Sequence, residues 1–463
     1  MIKGIIENVK NKFRKNFDHE SKKLIKNSSW VFIANALAVV LAFLRSILIA
    51  RGLGATTLGT YAVVIAFVVT IQEILKLNVA LGIIRFGAQY VSEKRPDKLI
   101  ALLKVGISAS LLSALVSVII IASLTSLIYP HFFSVPGLEK FIILYSIING
   151  FSFLDNIGRG VLKIFNKFKL NSIIQMIMDV FEFSMIAFCI FKYPHNLEYF
   201  FYTVIATRFI NSIICNSSVI FELKNELGKY INSKVSLIKS DLTEIRHFIL
   251  GSSFSNTLKI FMNQGDILIL NSFGNPHMVG VYTVAKKLGY SVLTMTDPLS
   301  ISIYPQLSHL VSQTKFKEAK VMIKKITVAT FIPIAIFLVG AYFFKDFIIV
   351  RVYGKDFVEA SDPFFIHLIG AVQSAIFFWC VPLVQSLGLT TMRLRVYTMA
   401  LILEAIIALL LVKIMGPSGV AIALLSANVL ISILFTWYCF RHMNLKIRNQ
   451  ENDMQSMNAS EII

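Results

Sequence analysis

Apolar stretches of about 20 residues, enough to cross the hydrocarbon layer as helices, recur along most of this chain. Short basic, polar or Pro/Gly turns separate them. Twelve are predicted to span, at approximately 28–50, 57–83, 104–128, 138–162, 170–192, 197–222, 247–270, 279–304, 326–349, 363–388, 394–414 and 418–440. Tyr129-Pro130, Tyr193-Pro194, Asn275-Pro276, Asp362-Pro363 and Gly416-Pro417 mark turns. Pro298, Pro333 and Pro382 fall inside spans, where neighbouring helices tolerate them as kinks. The pattern predicts an all-α, polytopic membrane protein.

The same unit occurs twice. Positions 47–61 read ILIARGLGATTLGTY and positions 267–282 read ILILNSFGNPHMVGVY. At an offset of 220, Ile47-Leu48-Ile49 returns as Ile267-Leu268-Ile269 and Gly54 as Gly274; with one inserted residue, Gly59 and Tyr61 fall on Gly280 and Tyr282. Val91-Ser92 returns as Val311-Ser312. The expected organisation is therefore a basic amphipathic cytoplasmic leader (1–27), a six-helix bundle (28–222), a cytoplasmic linker (223–246), a second six-helix bundle (247–440) and a cytoplasmic tail (441–463). Six crossings is an even number, so both halves enter in one direction, related by a pseudo-two-fold axis along the membrane normal.

Composition sharpens this reading. Apolar residues make up 56% of the chain and mean hydropathy is +0.71, above the ~45–50% apolar share of soluble domains. In the leader, Ile2, Ile5, Ile6, Val9, Phe13 and Phe17 recur every three or four residues between lysines, as in a helix lying on a membrane surface. The following apolar segment, Trp30 to Ala50, is longer than a usual signal-peptide core and is not read as a signal peptide. With the N-terminus inside, 32 of the 45 lysines and arginines fall in cytoplasmic segments and 7 in outer ones. That asymmetry places both termini in the cytoplasm and the protein in the cell (inner/cytoplasmic) membrane. It also accounts for the net charge of +19 without nucleic acid. Cys189, Cys215, Cys380 and Cys439 form no CxxC pair and read as packing residues.

Six basic residues lie within spans: Arg45, Lys76, Arg208, Lys259, Lys286 and Lys287. Their acidic companions are Glu73, Asp155, Asp179, Glu182, Asp266, Asp297 and Glu404. An ionised group at that depth costs of order +2.5–3.5 kcal/mol and normally faces protein or a wet cavity. Ser252, Asn256, Lys259, Asn263 and Asp266 follow helical steps along one face, as do Lys286, Tyr290, Thr294 and Asp297, and also Gln175, Asp179 and Glu182. These stripes read as the lining of a hydrated chamber, with Arg45, Arg208, Lys259, Lys286 and Lys287 as candidate anion ligands. Asp266, Asp179, Glu182 and Glu404 are candidates for ion coupling or for pairing. Glu73–Lys76 and Asp155–Arg159 have the spacing of internal ion pairs. The repeat alignment sets Asp266 beside the equivalent of Arg45 and lets the two face each other across the axis.

No catalytic motif appears, neither P-loop nor GxSxG nor GxGxxG in strand–turn–helix context, and the eight histidines lack metal-ligand spacing. No enzyme activity, cofactor or metal is expected. Energy for transport would come from an ion gradient, substrate gradients or a partner.

The segment LRSILIARGLGATTLGTYAVV resembles the start of polysaccharide flippases in the multidrug/oligosaccharidyl-lipid/polysaccharide exporter superfamily. Its carriers are Arg45, Arg51, Leu53, Gly54, Gly59 and Tyr61; GDILILNSFGNPHMVGVYTVAKKLGY is similar to the matching run of the second half, with Asp266, Gly280, Tyr282, Ala285 and Lys287 in place. The resemblance implies a flippase that moves a prenyl-pyrophosphate-linked oligosaccharide from inner to outer leaflet by alternating access, for surface polysaccharide biosynthesis such as O-antigen. It implies membrane lipids, this lipid-linked substrate and a proton or sodium ion as partners. A monomer is expected, in contact with a polysaccharide polymerase or glycosyltransferases. A multidrug or small-molecule antiporter of the same superfamily would share the fold, but the intramembrane lysines favour an anion. A major-facilitator carrier fits poorly, because RFGAQYVSEKRPDK replaces that family's loop signal. A glycan polymerase or ligase would need a larger outer loop.

Overall fold

In a bilayer a segment must satisfy its own peptide groups, so long apolar runs fold as helices. The computed structural model describes residues 19–133 and 135–460, with side chains described between 29 and 452 except at 130, 131, 255, 256, 259, 294, 295, 297, 298, 301, 332 and 390. Among these residues there are thirteen α-helices and no strand. The first half holds α1 (His19–Leu75), α2 (Val79–Ser92), α3 (Pro96–Phe132), α4 (Glu139–Ile164), α5 (Phe168–Lys192) and α6 (Leu197–Leu227). The second holds α7 (Leu242–Phe273), α8 (Pro276–Tyr290), α9 (Leu293–Ser312), α10 (Phe316–Tyr353), α11 (Ser361–Ile376), α12 (Cys380–Ser386) and α13 (Thr390–Ser460). Eight helical stretches of the described residues are long and apolar enough to cross a membrane. The protein is an all-helical, multi-pass membrane protein.

Helix boundaries depart from the hydropathy pattern after Leu75, Tyr290 and Ile376, inside the stretches 57–83, 279–304 and 363–388, whereas the two longest helices turn at glycines that lie between predicted stretches. α1 turns at Gly54 (φ 74°, ψ 170°) and α13 at Gly416 (φ 52°, ψ −127°). Both are conformations that a Cβ disfavours. Between the halves, α6 runs on to Leu227 and α7 begins at Leu242, so two short 3₁₀ turns, Gly228–Tyr230 and Val235–Ile238, occupy the middle of the 223–246 segment. The 441–463 segment continues as α13 to Ser460 rather than as a loose tail. Leader residues 1–18 lie outside the described residues; the chain is already helical at His19.

The sequence repeat reappears as reciprocal contacts. A Cβ built on Gly59 of α1 would lie 1.7 Å from the Pro276 carbonyl oxygen, and one built on Gly280 of α8 would lie 1.9 Å from the Ala55 carbonyl oxygen. With the one inserted residue of the second copy, Ala55 is the counterpart of Pro276 and Gly59 that of Gly280. The two helices thus cross in backbone contact, each presenting the same glycine to the same carbonyl of the other. Beside this crossing, Arg51 Nε donates to the Val352 carbonyl (2.9 Å) and Asn271 Nδ2 donates to the Phe132 carbonyl (2.7 Å). Donors and acceptors are again related by 220 residues. Small residues that admit close backbone approach replace the hydrophobic driving force that lipid does not supply. A buried cluster including Val63, Val64, Phe67, Val279, Val281 and Tyr282 joins the halves around the crossing.

At the opposite end, α2 leans on the start of α7. The Asn78 backbone N–H donates to Ser253 Oγ (2.8 Å), and Arg85 pairs with Glu244 (3.3 Å). Asp241, in the inter-half connection, accepts from Tyr90 Oη (2.7 Å) and Lys98 Nζ (2.9 Å). These two bonds, with one from Ser240, hold its carboxyl down at about 2. On the periphery, α10 turns Phe331, Phe337, Phe343, Phe344 and Phe347 outward, as a lipid-facing helix does.

Candidate functional site

Next to the Gly59–Gly280 crossing, both halves wall a cavity of about 220 Å³. α1 contributes Ser46, Tyr61 and Ile65; α7 contributes Gln264 and Ile267; α8 contributes Thr283 and Lys287; α10 contributes Tyr353. Ser46 Oγ and Tyr353 Oη are 3.2 Å apart, closing one wall. Lys287 is exposed, and among the described residues it has no carboxylate within ion-pair distance. It stands within electrostatic range of Arg45 and Glu182.

Arg45 Nη1 is 2.6 Å from Glu182 Oε2, a half-buried pair linking α1 to α5. Asp179, one turn earlier on α5, has its Oδ2 buried without a hydrogen-bond partner among the described residues. Tyr61, on the cavity wall, lies in the field of Arg208 as well as of Arg45 and Glu182. Arg208 of α6 is held by neutral groups. Its Nη1 donates to Asn149 Oδ1 (3.3 Å), and its guanidinium lies 5.5 Å from the Tyr145 ring centre. Asn149 in turn donates to Gln72 Oε1 (2.6 Å), whose amide donates to the Ser146 carbonyl (2.7 Å). The arrangement orients a guanidinium without neutralising it. Three cations, Arg45, Arg208 and Lys287, thus meet two carboxylates, Asp179 and Glu182.

A second polar cluster lies inside the C-terminal half. Lys286 Nζ contacts Asp266 Oδ2 at 2.5 Å and the Asn263 carbonyl at 2.7 Å, and Tyr282 Oη donates to the same carboxylate oxygen at 2.5 Å. Glu404, 3% exposed, lies in the field of both Asp266 and Lys286, and its Oε2 has no partner among the described residues. His367 is equally buried, its ring edge-on to Tyr282 at 5.0 Å, and neither ring nitrogen has a hydrogen-bond partner among the described residues. The Lys286 ammonium therefore pairs with Asp266 and stands in the field of Glu404.

These contacts sort the residues selected from sequence. Arg45, Lys287 and Glu182 come together, with Arg208 and Asp179 nearby. Asp266 does not face Arg45: Lys286, one helical hairpin away, takes its carboxylate, and Glu182 takes the arginine. Lys286 is consequently a neutralised cation. Glu73 and Lys76 pair at 2.7 Å as their spacing predicts. Asp155 instead accepts from Ser212 Oγ (2.7 Å) and Asn216 Nδ2 (2.6 Å) of α6. The side chains of Lys259, Asn256 and Asp297 lie outside the described ones. Sequence reasoning missed Tyr61, Gln72, Asn149, Tyr282 and His367; isolated amides and phenols in apolar spans were the available signal. Among the described residues there is no group of three or more His, Cys, Asp or Glu side chains able to hold a metal ion.

The fold is shared with solved membrane transporters. The chain is similar to a multidrug resistance MATE family transporter of the MOP superfamily in its inward-facing conformation (14% identity, 89% of this chain and 96% of that chain, TM-score 0.64). It is also similar to the lipid II flippase MurJ in an inward closed conformation (18% identity, 89% and 87%, TM-score 0.65). An outward-facing conformation of a MATE family transporter of the same superfamily matches with a TM-score of 0.52 (14% identity, 92% and 96%). No curated protein matches by sequence. Residues 24–311 match the polysaccharide biosynthesis protein family, and the chain belongs to it.

Proposed function

We propose that this protein is a flippase that carries a prenyl-pyrophosphate-linked oligosaccharide from the inner to the outer leaflet for surface polysaccharide biosynthesis. The observation that carries the reading is the cavity walled by both halves, into which Lys287 projects with no carboxylate to neutralise it among the described residues. Arg208, held by an amide and an aromatic ring and with no carboxylate at ion-pair distance among the described residues, adds a second cation. A pyrophosphate takes charge-assisted hydrogen bonds from such groups, roughly twice as strong as neutral ones. The prenyl chain stays in lipid.

In this reading the chain crosses the membrane twelve times, as six-helix bundles 28–222 and 247–440. The reversals at Gly54 and Gly416 divide α1 and α13 into two crossings each. The breaks after Leu75, Tyr290 and Ile376 interrupt single crossings. The basic-residue asymmetry puts both termini in the cytoplasm and the Gly59–Gly280 crossing at the outer face of the cell membrane, so the gap opens inward. Arg45, Arg208 and Lys287, with Lys259, hold the head group. Asp266, paired with Lys286, and Glu404 couple movement to a proton or a sodium ion, while Asp179 and Glu182 set the charge around Arg45. The protein performs no covalent chemistry and acts as a monomer beside the enzymes that make and polymerise the repeat unit. A multidrug antiporter is the second reading, favoured by the buried unpaired Glu404 carboxylate oxygen.

The test is complementation of a deletion strain with Lys287→Glu and with Arg208→Gln. Surface glycan should fall by on the order of tenfold or more, with the protein at normal abundance and lipid-linked sugar accumulating on the inner leaflet. Normal glycan export by both variants refutes the cationic site.

A further inference from the structure

Beside Lys287 the interhalf cavity measures about 220 Å³, room for a pyrophosphate. A larger space of about 610 Å³ lies within the C-terminal half, between α7, α9, α11, α12 and α13. That is inside the ~300–1,000 Å³ range of small-molecule sites. Its chemistry differs from that of the gap: none of the described lining side chains carries a charge. Asn263, Tyr304, Gln385 and Tyr397 line it, and their side-chain amides and hydroxyls have no hydrogen-bond partner among the described residues. Phe377 and Tyr397 supply ring surface, the latter backed edge-on at 5.7 Å by the fully buried Phe435. Free amides and phenols alternate with aromatic faces. A neutral polyhydroxylated ligand needs that combination, with hydrogen bonds for its hydroxyls and flat apolar surface for its C–H faces. A prenyl chain would leave the polar groups unsatisfied.

The two halves are unequal at matching positions. At the repeat offset of 220, Arg208 of α6 corresponds to Asn428 of α13, which donates from Nδ2 to Tyr290 Oη at 2.8 Å beside the cavity. The N-terminal half puts a cation where the C-terminal half puts an amide.

Building on the flippase reading, we infer that the cavity bordered by Asn263, Tyr304, Gln385 and Tyr397 is a saccharide-binding subsite. It takes the neutral sugars of the lipid-linked substrate while the cations of the N-terminal half and Lys287 take the pyrophosphate. The halves thereby divide the substrate into a charged and an uncharged part, and the sugars travel with the C-terminal half.

The experiment places photoreactive p-benzoylphenylalanine, in separate full-length chains, at Gln385 and Tyr304 in the cavity, at Thr283 in the gap, and at lipid-facing Phe343. Each chain is expressed in cells making the glycan and fed radiolabelled N-acetylglucosamine. After illumination, adducts are identified by label and by sugar fragment ions in mass spectra of the modified peptide. Sugar-bearing adducts at 385 and 304, in yields on the order of tenfold above position 343, are expected. Sugar at 283 with only prenyl or acyl adducts at 385 and 304 overturns the subsite and leaves the flippase reading standing. Absence of sugar adducts at all of these positions overturns both.

Discussion

The glycine crossing offers a direct handle on alternating access. In Gly280→Ala, the added Cβ would sit 1.9 Å from the Ala55 carbonyl oxygen and 3.1 Å from the Gly59 nitrogen. Ordinary contact begins at 3.4 Å, so α1 and α8 must separate by about 1.5 Å. Both obstructing atoms are backbone and cannot rotate aside. Overpacking of this kind costs about 1–3 kcal/mol. The penalty applies only while this end is closed, which in the proposed orientation is the inward-facing state. A differential of that size shifts a two-state equilibrium by roughly 5–150-fold toward the state open on the glycine side. The readout is a cysteine at Thr283, on the cavity wall. It is placed in a chain lacking the native cysteines, all four of which are buried. An impermeant maleimide is applied to intact cells. Gly280→Ala and Gly59→Ala should each raise the labelling rate on the order of tenfold. The double variant should add little, because both methyl groups press on one crossing. Unchanged labelling in a variant present at normal abundance would refute the clamp, and with it the assignment of this end as the outer gate.

Further outcomes follow from the charges. Arg45→Glu sets like charges at the 2.6 Å site facing Glu182 and should lower abundance, since losing a charge-assisted contact in a half-buried pair costs about 1–3 kcal/mol. Adding Glu182→Arg should restore abundance but not glycan export; full recovery of export would reduce Arg45 to a structural partner. Glu404→Gln should make export insensitive to collapse of the proton and sodium gradients, and a variant that stays gradient-dependent removes Glu404 from coupling. Asp241 is held down at about 2 by Tyr90 and Lys98. A depressed carboxyl contributes stability above its unfolded value of about 3.9, lost as pH falls through about 2. Asp241→Asn should therefore cost on the order of 1 kcal/mol for this partly exposed cluster, equally across about pH 5–8 in a thermal melt of the purified protein. A cost that vanishes already at about pH 5 would show that the carboxylate is not so held.

What the sequence disclosed, and what it hid, divides by physical cause. The duplicated unit was legible because its determinants are local: a glycine where two backbones touch cannot be replaced without moving a helix, so Gly59 and Gly280 keep their register. The reciprocal bonds of Arg51 and Asn271 show the opposite limit, since one geometry is served by two side chains whose chemistry gives no hint of kinship. Ion-pair partners were less legible. Linear spacing found Glu73–Lys76, whose members share one helical turn. It failed for Asp155, because a carboxylate only 9% exposed is satisfied from the adjacent helix by Ser212 and Asn216. It failed again for Asp266, where alignment across the axis pointed to Arg45 while the rotation of α8 brought Lys286 closer. Backbone symmetry therefore does not carry charge symmetry with it. The same template holds an oriented guanidinium on one side and an amide-lined cavity on the other. A two-fold scaffold needs such inequality to grip a substrate that is charged at one part and neutral at another.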